Sequence, residues 1–183
     1  TDPASGYDPQ NPYKNREKRF YQSIVYDGAT WVGFEIVIRH GEGSRDETDL
    51  SNINESTNTG YYLLKGLNPK YAINGNNQQN SANFIIFRYA EVLLSYAEAQ
   101  NEAVGPDASV YDAINQVRHR SELPPLPAGL SQDKMRAEIH RERRVELAFE
   151  EKRWYDIIRW KTAENVLNGN VHAMLIENGV YKI

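Results

Sequence analysis

Two glutamates, Glu142 and Glu146, lie one helical turn apart within the strongly charged stretch ERRVELAFEEKRWYDIIRW, which spans residues 142–160. Carboxylates on adjacent turns of a helix can reach the separation of about 5–9 Å that a general acid and base need in glycoside hydrolysis. The spacing therefore admits a carboxylate active site. It equally admits a scaffold helix that carries some of its charges inward.

A helical projection of residues 135–160 places Glu142, Glu146 and Arg153 in the middle of the apolar face. A charge on a buried face is costly unless opposite charges and hydrogen bonds accompany it. Glutamates four residues apart also repel each other, so they need cations from elsewhere. Arg118 and Arg120, in the preceding helical segment, are the candidates. The hypothesis is a partly buried Glu–Arg network that fixes the register of packed helices.

The charge balance bears on nucleic-acid binding. The chain has a net charge of −4, and residues 131–161 hold nine Lys and Arg against seven Asp and Glu. An arm that neutralises phosphates needs a one-sided excess of positive charge, so the sequence argues against a nucleic-acid partner. The 183 residues include no cysteine, which excludes disulfides, thiolate nucleophiles and cysteine-ligated metals within them.

The histidines give little support to a metal site. Four are spread along the chain, with no HExxH pattern and no pair at i and i+4: His40, His119, His140 and His172. Loop 45–55 is acidic enough to suggest calcium, but its Asp and Asn spacing does not fit an EF-hand. We therefore predict no bound metal and no cofactor.

Residues 1–83 are predicted to be a loop-rich segment with short strands. The strand candidates are 20–26, 31–38 and 61–67, and the Asp-Gly dipeptide within 27–30 predicts a turn between the first two. The two prolines of DPQNPYKNREKRF predict an extended loop there, because each disfavours helix at the preceding residue.

Residues 84–183 are predicted to be helical. Five residues at helical spacing predict the buried face of the first helix: Tyr89, Val92, Leu93, Tyr96 and Ala97. Gly105 and Pro106 predict where this helix ends. Asp107 is placed to cap the N-terminus of the next helix.

The second helix carries Val110, Ile114 and Val117 on one face. Ser131 is the predicted N-cap of a third helix, which is expected to continue, with a kink, to about Asn168. Helices joined by short links predict an antiparallel helical array rather than a parallel-sheet enzyme. The two parts are expected to form one continuous domain, which is a piece of a larger protein.

Five segments carry a family resemblance: YDPQNPYKNREKRF (7–20), TGYYLLKGLNP (59–69), FRYAEVLLSYAEAQNEA (87–103), AINQVRHRSELPPL (113–126) and ERRVELAFEEKRWYDIIRW (142–160). In this order they resemble the C-terminal part of the SusD/RagB family of Bacteroidetes outer-membrane nutrient-binding lipoproteins. Two positions depart from the family pattern. The family usually has Asp-Pro where this chain has Glu17 and Lys18, and commonly has Gly at Glu151. The second departure predicts a straighter long helix.

The resemblance implies a mainly α fold of tetratricopeptide-like helix pairs, with loop-rich segments and a few short β-strands. It also implies a non-catalytic protein of the outer-membrane surface, held by a lipid on an N-terminal cysteine that this chain lacks. The implied partners are an oligosaccharide ligand and a SusC-like TonB-dependent transporter, and the implied role is nutrient uptake in polysaccharide utilization. The alternative is a helical-repeat module that binds a protein partner and no glycan.

Glycan binding needs aromatic rings for the apolar faces of sugars and polar groups for their hydroxyls. The loop-rich segment offers four candidate ligand-binding aromatics, Trp31, Tyr61, Tyr62 and Tyr71. Packing within strands or loops is the competing explanation for each of them.

Overall fold

A computed structural model describes residues 6–44, 46–48, 57–68 and 84–183. Within these ranges lie six helices: α1 (Lys18–Ser23), α2 (Tyr89–Val104), α3 (Ala108–Arg120), α4 (Gln132–Glu146), α5 (Arg153–Arg159) and α6 (Ala163–Leu167). The same ranges contain six short strands: β1 (Ile24–Val25), β2 (Thr30–Trp31), β3 (Phe34–Glu35), β4 (Tyr62–Leu63), β5 (Leu175–Glu177) and β6 (Val180–Lys182). The predicted fold class, mainly α with a few short strands, is confirmed.

The chain divides into two units. The second unit comprises Glu17–Arg19 and Asn83–Asn168, and the first comprises the other described residues, including Gly169–Ile183. The candidate Tyr71 and most of loop 45–55 lie outside the described residues. The expected continuity of 1–83 and 84–183 as one domain stays a prediction. Of the helices described, none combines the length and apolar character that crossing a bilayer requires.

Helices α2, α3 and α4 pack around the core of the second unit. Ten buried residues form this core: Leu94, Ala97, Val110, Ala113, Ile114, Val117, Leu126, Met135, Ile139 and Leu147. The predicted inward face of α3 is confirmed, since Val110, Ile114 and Val117 are all buried. Removal of this apolar surface from water is the main stabilising term for the helical unit.

The predicted helix ends are confirmed where the signal is local. The Asp107 carboxylate accepts hydrogen bonds from the backbone amides of Ser109 and Val110 at 2.9 and 3.1 Å. The Ser131 hydroxyl caps α4 in the same way. Gly105 follows the last residue of α2 with φ of 93°, a left-handed conformation that glycine adopts without steric cost. These caps satisfy backbone groups that a helix end leaves unpaired.

The predicted inward face of α2 is wrong in part. Leu94 and Ala97 are fully buried, whereas Tyr89, Val92 and Tyr96 are exposed. The pattern is ambiguous because adjacent leucines at 93 and 94 allow two overlapping apolar faces. Packing against α3 and α4 selects the face that contains Leu94 and turns the three other residues outward.

The prediction of one long helix to about Asn168 is wrong. Helix α4 ends at Glu146, and α5 begins at Arg153. Between them Phe149 and Glu151 have φ of 62° and 60°, which a right-handed helix cannot contain. The expected straightening at Glu151 is therefore not observed. The residue instead adopts the left-handed conformation that glycine would accept most readily.

The short strands form three two-stranded antiparallel sheets, in which β1 pairs with β4, β2 with β3, and β5 with β6. The predicted turn at 27–30 is confirmed, since the Ala29 amide donates to the Tyr26 carbonyl at 3.0 Å. The strands on either side of it do not pair with each other, and the first predicted strand begins within helix α1. The hairpin lies one turn later, where Trp31 faces Phe34 across Val32 and Gly33. Both turn residues have positive φ, and such two-residue turns match the twist of the strands they join.

Candidate ligand pocket and ion-pair network

A concave pocket of about 300 Å³ lies in the first unit. Residues of the stretch 21–31 line it together with Leu64, and its aromatic walls are Tyr21, Tyr26 and Trp31. The volume is at the lower end of the range of about 300–1,000 Å³ found for ligand pockets. Almost the whole lining thus comes from one continuous stretch of chain.

A tight turn folds this stretch around the pocket. The Ala29 amide donates to the Tyr26 carbonyl at 3.0 Å, and the Gly28 amide donates to the Ile36 carbonyl at 2.8 Å. Gly28 has φ of 81°, which only glycine adopts without strain. The buried Asp27 carboxylate accepts a hydrogen bond from the backbone amide of Ile38 at 2.8 Å. This bond ties the turn to the chain that follows β3. The turn thereby brings the aromatic residues on either side of it to one pocket.

Neighbouring rings hold Tyr26 in place. The Tyr26 ring centroid lies 4.6 Å from that of Tyr13, 5.5 Å from Phe20 and 5.9 Å from Tyr21. The Tyr21 hydroxyl donates to the Tyr13 carbonyl at 2.7 Å. Aromatic pairs at these distances add stabilisation beyond simple burial. The wall of the pocket is therefore preformed by packing.

Three polar groups belong to residues that line the pocket. Among the described residues, no hydrogen bond engages the hydroxyl of Tyr26, the hydroxyl of Thr30 or the indole N–H of Trp31. Burial raises the pKa of the Tyr26 hydroxyl above its ordinary value, so this group remains protonated and able to donate. The pocket residues thus combine aromatic faces with donors that no other described residue engages.

The structure separates the four sequence-predicted aromatics. Trp31 lines the pocket. Tyr61 packs edge-on against Tyr13 at 6.2 Å, and Tyr62 lies in β4 opposite Val25. Tyr71 lies outside the described residues, and the role of all four in ligand binding stays a prediction. Tyr26 was not among the predicted residues, although the Asp-Gly turn between it and Trp31 was a signal that the two aromatics converge.

A network of buried ion pairs surrounds the two glutamates of α4. Glu142 accepts from Arg19 at 2.7 Å and from Arg118 at 3.0 Å. Glu146 accepts from Arg19 at 2.9 Å, from Arg88 at 2.6 Å and from Arg120 at 2.7 Å. The side chains of Glu142 and Glu146 are 3% and 1% exposed. Both carboxylates are thus enclosed by guanidinium groups and closed to solvent.

The partners differ from the predicted set at three positions. Arg118 and Arg120 reach the glutamates, whereas Arg153 makes no ion pair with either glutamate in the described structure. The helical projection placed Arg153 inward only because it assumed a continuous helix across the break before α5. Arg19 and Arg88 were missed, since one lay in a predicted loop and the other precedes α2. A signal existed: four of the five segments that carry the family resemblance each contribute a member of this network.

The electrostatics keep Glu146 ionised. Burial alone would raise the pKa of this carboxyl, but hydrogen bonds from Arg88 and Arg19 outweigh burial and lower the pKa below its ordinary value. A general acid in glycoside hydrolysis must hold a proton, and it must reach its substrate. A buried, ionised carboxylate shared among three arginines does neither.

A second ion cluster ties α2, α4 and α5 together. Arg143 binds Asp156 with its Nε 2.8 Å from a carboxylate oxygen, and its Nη2 lies 3.4 Å from Glu91. Asp156 also accepts from Arg159 at 2.9 Å, and Arg159 pairs with Glu98. Arg143, Asp156 and Glu91 are all buried. The chain after the helix break is thus returned to α2 by charged contacts rather than by apolar packing alone.

Histidine and carboxylate side chains are the candidate metal ligands of this chain, which has no cysteine. The loop 45–55 considered for calcium lies mostly outside the described residues. In the part of the chain that the structure covers, no three His, Asp or Glu side chains converge as a metal site would need. Two of the histidines have other neighbours: His40 Nδ1 lies 2.6 Å from Glu47, and His140 stacks on Trp160 with ring centroids 3.6 Å apart.

Comparison with known proteins identifies the family. Residues 1–182 match the model of the SusD family, SusD_RagB. SusD-like protein P2 of Formosa agariphila is 40% identical over 117 residues, which are 60% of this chain and 22% of that protein. SusD-like protein P25 of the same organism is 44% identical over 84 residues, which are 44% of this chain and 16% of that protein.

Solved structures agree. A SusD-like protein from Bacteroides fragilis superposes with a TM-score of 0.80 at 29% identity, over 93% of this chain and 33% of that one. A SusD-like carbohydrate binding protein from the same species superposes with a TM-score of 0.73 at 34% identity, over 88% of this chain and 32% of that one. The chain therefore spans about a third or less of the length of these relatives. With its helical architecture and the match along almost its entire length, the chain belongs to the SusD/RagB family.

Proposed function

We propose that this chain takes part in the non-catalytic binding of an oligosaccharide at the cell surface, for delivery to a SusC-like TonB-dependent transporter. Membership of the SusD family is the observation that carries the proposal. A solved relative with a TM-score of 0.73 is described as carbohydrate binding, which supports a sugar as the ligand. The relatives are longer than this chain, so the role belongs to the whole protein.

The geometry of the first unit supports sugar binding. Sugars present apolar C–H faces and a rim of hydroxyls, and proteins bind them with aromatic rings and hydrogen-bonding groups. The pocket offers Trp31 and Tyr26 as rings, and Thr30 as a small polar group. The second unit contributes a charged scaffold.

The electrostatics of α4 support a protein without glycosidase chemistry. Its paired carboxylates, Glu142 and Glu146, are buried and saturated by arginines. Hydrolysis would need one of them to be protonated and both to face a substrate.

Localisation is part of the proposal. We expect the whole protein to be surface-exposed at the outer membrane and lipid-anchored through an N-terminal cysteine outside these 183 residues, which contain none. Labelling intact cells with a membrane-impermeant reagent tests this. Surface labelling together with extraction by detergent supports it, and recovery from the aqueous lysate contradicts it.

A glycan-array screen of the full-length protein tests the central part of the proposal, followed by calorimetric titration with the best glycan. We expect saturable binding and no release of shorter sugars. Hydrolysis products would contradict the non-catalytic role. Co-purification of a SusC-like transporter from detergent-solubilised outer membranes tests delivery, and its absence from the purified complex would contradict that step.

A protein-interaction module is the second candidate. The observation in its favour is the exposed side of α2, where Tyr89, Val92 and Tyr96 lie on one face and remain exposed. Contiguous exposed apolar surface commonly marks a contact site. No glycan binding on the array, together with a protein partner lost on Tyr96→Ser, would favour this candidate.

A further inference from the structure

We propose that the pocket of the first unit is a subsite for one pyranose ring of an oligosaccharide, an inference that rests on the glycan binding proposed above. Trp31 supplies the stacking surface, and Tyr26 and Thr30 supply hydroxyl partners. The next ring of the saccharide lies on Phe34, outside the pocket.

The size of the pocket suits one ring. Its volume of about 300 Å³ corresponds to about ten water molecules, and a pyranose has about a dozen covalently packed non-hydrogen atoms. A longer saccharide can place only one ring inside and must run out across the rim. The subsite therefore selects the identity of a single sugar residue.

The polar groups of the lining suit a polyhydroxylated ligand. The hydroxyls of Tyr26 and Thr30 and the indole N–H of Trp31 are not engaged elsewhere in the described chain. A purely apolar ligand would strip water from these groups and leave them unpaired, which costs affinity. A sugar ring stacks on the indole and offers hydroxyls to the three groups, so it matches both the aromatic surface and the hydrogen-bonding groups of the lining.

The subsite is held in shape before any ligand arrives. Tyr26 is fixed by ring contacts with Tyr13 at 4.6 Å and Phe20 at 5.5 Å. The turn beneath the pocket is fixed by Asp27, whose carboxylate also pairs with Arg39 at 3.0 Å. A preformed site avoids the entropic cost of ordering side chains on binding. Weakly binding single sugars can therefore register in a titration.

The hairpin gives the path of the second ring. Trp31 and Phe34 are directly opposed in the β2–β3 pair. Opposed residues of an antiparallel pair project from the same face of the ribbon, with Cβ atoms about 5 Å apart. Phe34 is 72% exposed, so the hairpin extends the aromatic surface from Trp31 outward. Phe34 contacts a disaccharide and leaves a monosaccharide untouched.

The experiment titrates the full-length protein with methyl pyranosides of glucose, galactose, mannose and N-acetylglucosamine, and with disaccharides of the same sugars, by calorimetry and saturation-transfer NMR. Trp31→Ala should raise the Kd of the methyl pyranoside that binds best by about tenfold or more. Thr30→Val keeps the shape of the side chain and should raise the same Kd by about fivefold. Phe34→Ala should raise the Kd of the disaccharide only. Trp154→Ala is the matched control, because Trp154 is exposed on α5 of the second unit, and it should change nothing.

The outcomes separate the two levels of the hypothesis. If the wild-type protein binds sugars and both Trp31→Ala and Thr30→Val bind them more weakly, the subsite is supported. If the wild-type protein and both variants bind sugars with equal affinity, the subsite is wrong while the proposed function stands. If neither the pyranosides and disaccharides nor any glycan on the array binds, the proposed function itself fails. Thr30→Val keeps the test decisive should Trp31→Ala fail to fold.

Discussion

Arg19 Nη1 lies 2.9 Å from Glu146 Oε2 and 2.7 Å from Glu142 Oε1, although 127 and 123 residues separate the partners along the chain. Arg19 is 7% exposed at its side chain, so this one guanidinium joins two buried carboxylates out of contact with water. Burial of the carboxylates is tolerated only while such partners are present. The charged helix α4 is therefore a place where distant segments of sequence are held together.

Loss of the charge on Glu146 should destabilise the protein strongly. In Glu146→Gln, the guanidinium groups of Arg19, Arg88 and Arg120 lose their shared anion, and breaking a buried ion pair by removing one partner costs about 3–5 kcal/mol. We expect the free energy of unfolding to fall by that amount in urea denaturation followed by circular dichroism.

The matched control is Glu138→Gln on the same helix. Glu138 pairs with Arg141, whose side chain is 64% exposed, and exposed pairs contribute only about 0–1 kcal/mol. Equal stability losses at the two positions would show that the buried network has no special structural role.

Glu151 should gain stability from replacement by glycine. Its φ of 60° is a left-handed conformation, which costs a non-glycine residue about 1 kcal/mol. Its exposed side chain has no ion pair among the described residues. Glu151→Gly should therefore raise the free energy of unfolding by about 1 kcal/mol, and the measurement is the midpoint of urea denaturation.

The same substitution at Glu164 provides the opposite expectation. Glu164 lies in helix α6, where glycine costs about 1 kcal/mol relative to a good helix former. If both substitutions destabilise alike, the helix break before α5 does not impose the left-handed conformation that the structure shows.

Stability should depend on the titration of His140. Burial against Trp160 lowers the pKa of His140 below its ordinary 6.5. As pH falls below 6.5, the unfolded chain takes up this proton first, so stability is lost until the folded pKa is passed. Urea denaturation across this range should show the decline in wild type, and His140→Gln should flatten it. An unchanged slope in the variant would assign the effect to another group.

A further decline should follow at lower pH. Burial raises the pKa of the buried Glu146 carboxyl and of the partly buried Glu98 carboxyl. Hydrogen bonds from arginine partners, joined at Glu98 by the Trp160 indole N–H, outweigh burial and hold the pKa of each below its ordinary 4.5. Their contribution is present above pH 4.5 and is lost as pH falls through the folded pKa of each group. Arginine partners stay charged throughout, so the loss reflects the carboxylates alone.

Local signals in the sequence predicted part of this structure well. Asp107 and Ser131 cap helices because a cap depends only on the next three residues, and the α3 face followed from its periodicity. The break between α4 and α5 escaped prediction because no Gly or Pro occupies it. The left-handed residues there are Phe149 and Glu151, which favour that conformation only within the folded context.

The candidate site was harder to predict because it depends on pairing at a distance. Trp31 was predicted from its residue type and the turn before it from its Asp-Gly dipeptide, but no local signal indicated which strands pair around the pocket. Arg19 and Arg88 were missed for the same reason, since nothing local indicates that they meet Glu146. Two glutamates on a buried face did require cations from other segments of the chain, and in that respect the sequence predicted the network.

The most direct test asks whether the buried ion-pair network around Glu146 affects sugar binding. The measurement is the calorimetric Kd of Glu146→Gln in the full-length protein, titrated with the best glycan from the array and expressed per folded molecule. If α4 is a scaffold and the ligand is bound elsewhere, Kd should stay within about twofold of wild type although the variant unfolds more easily. Loss of binding by the correctly folded variant would contradict the account and return Glu146 to the ligand site.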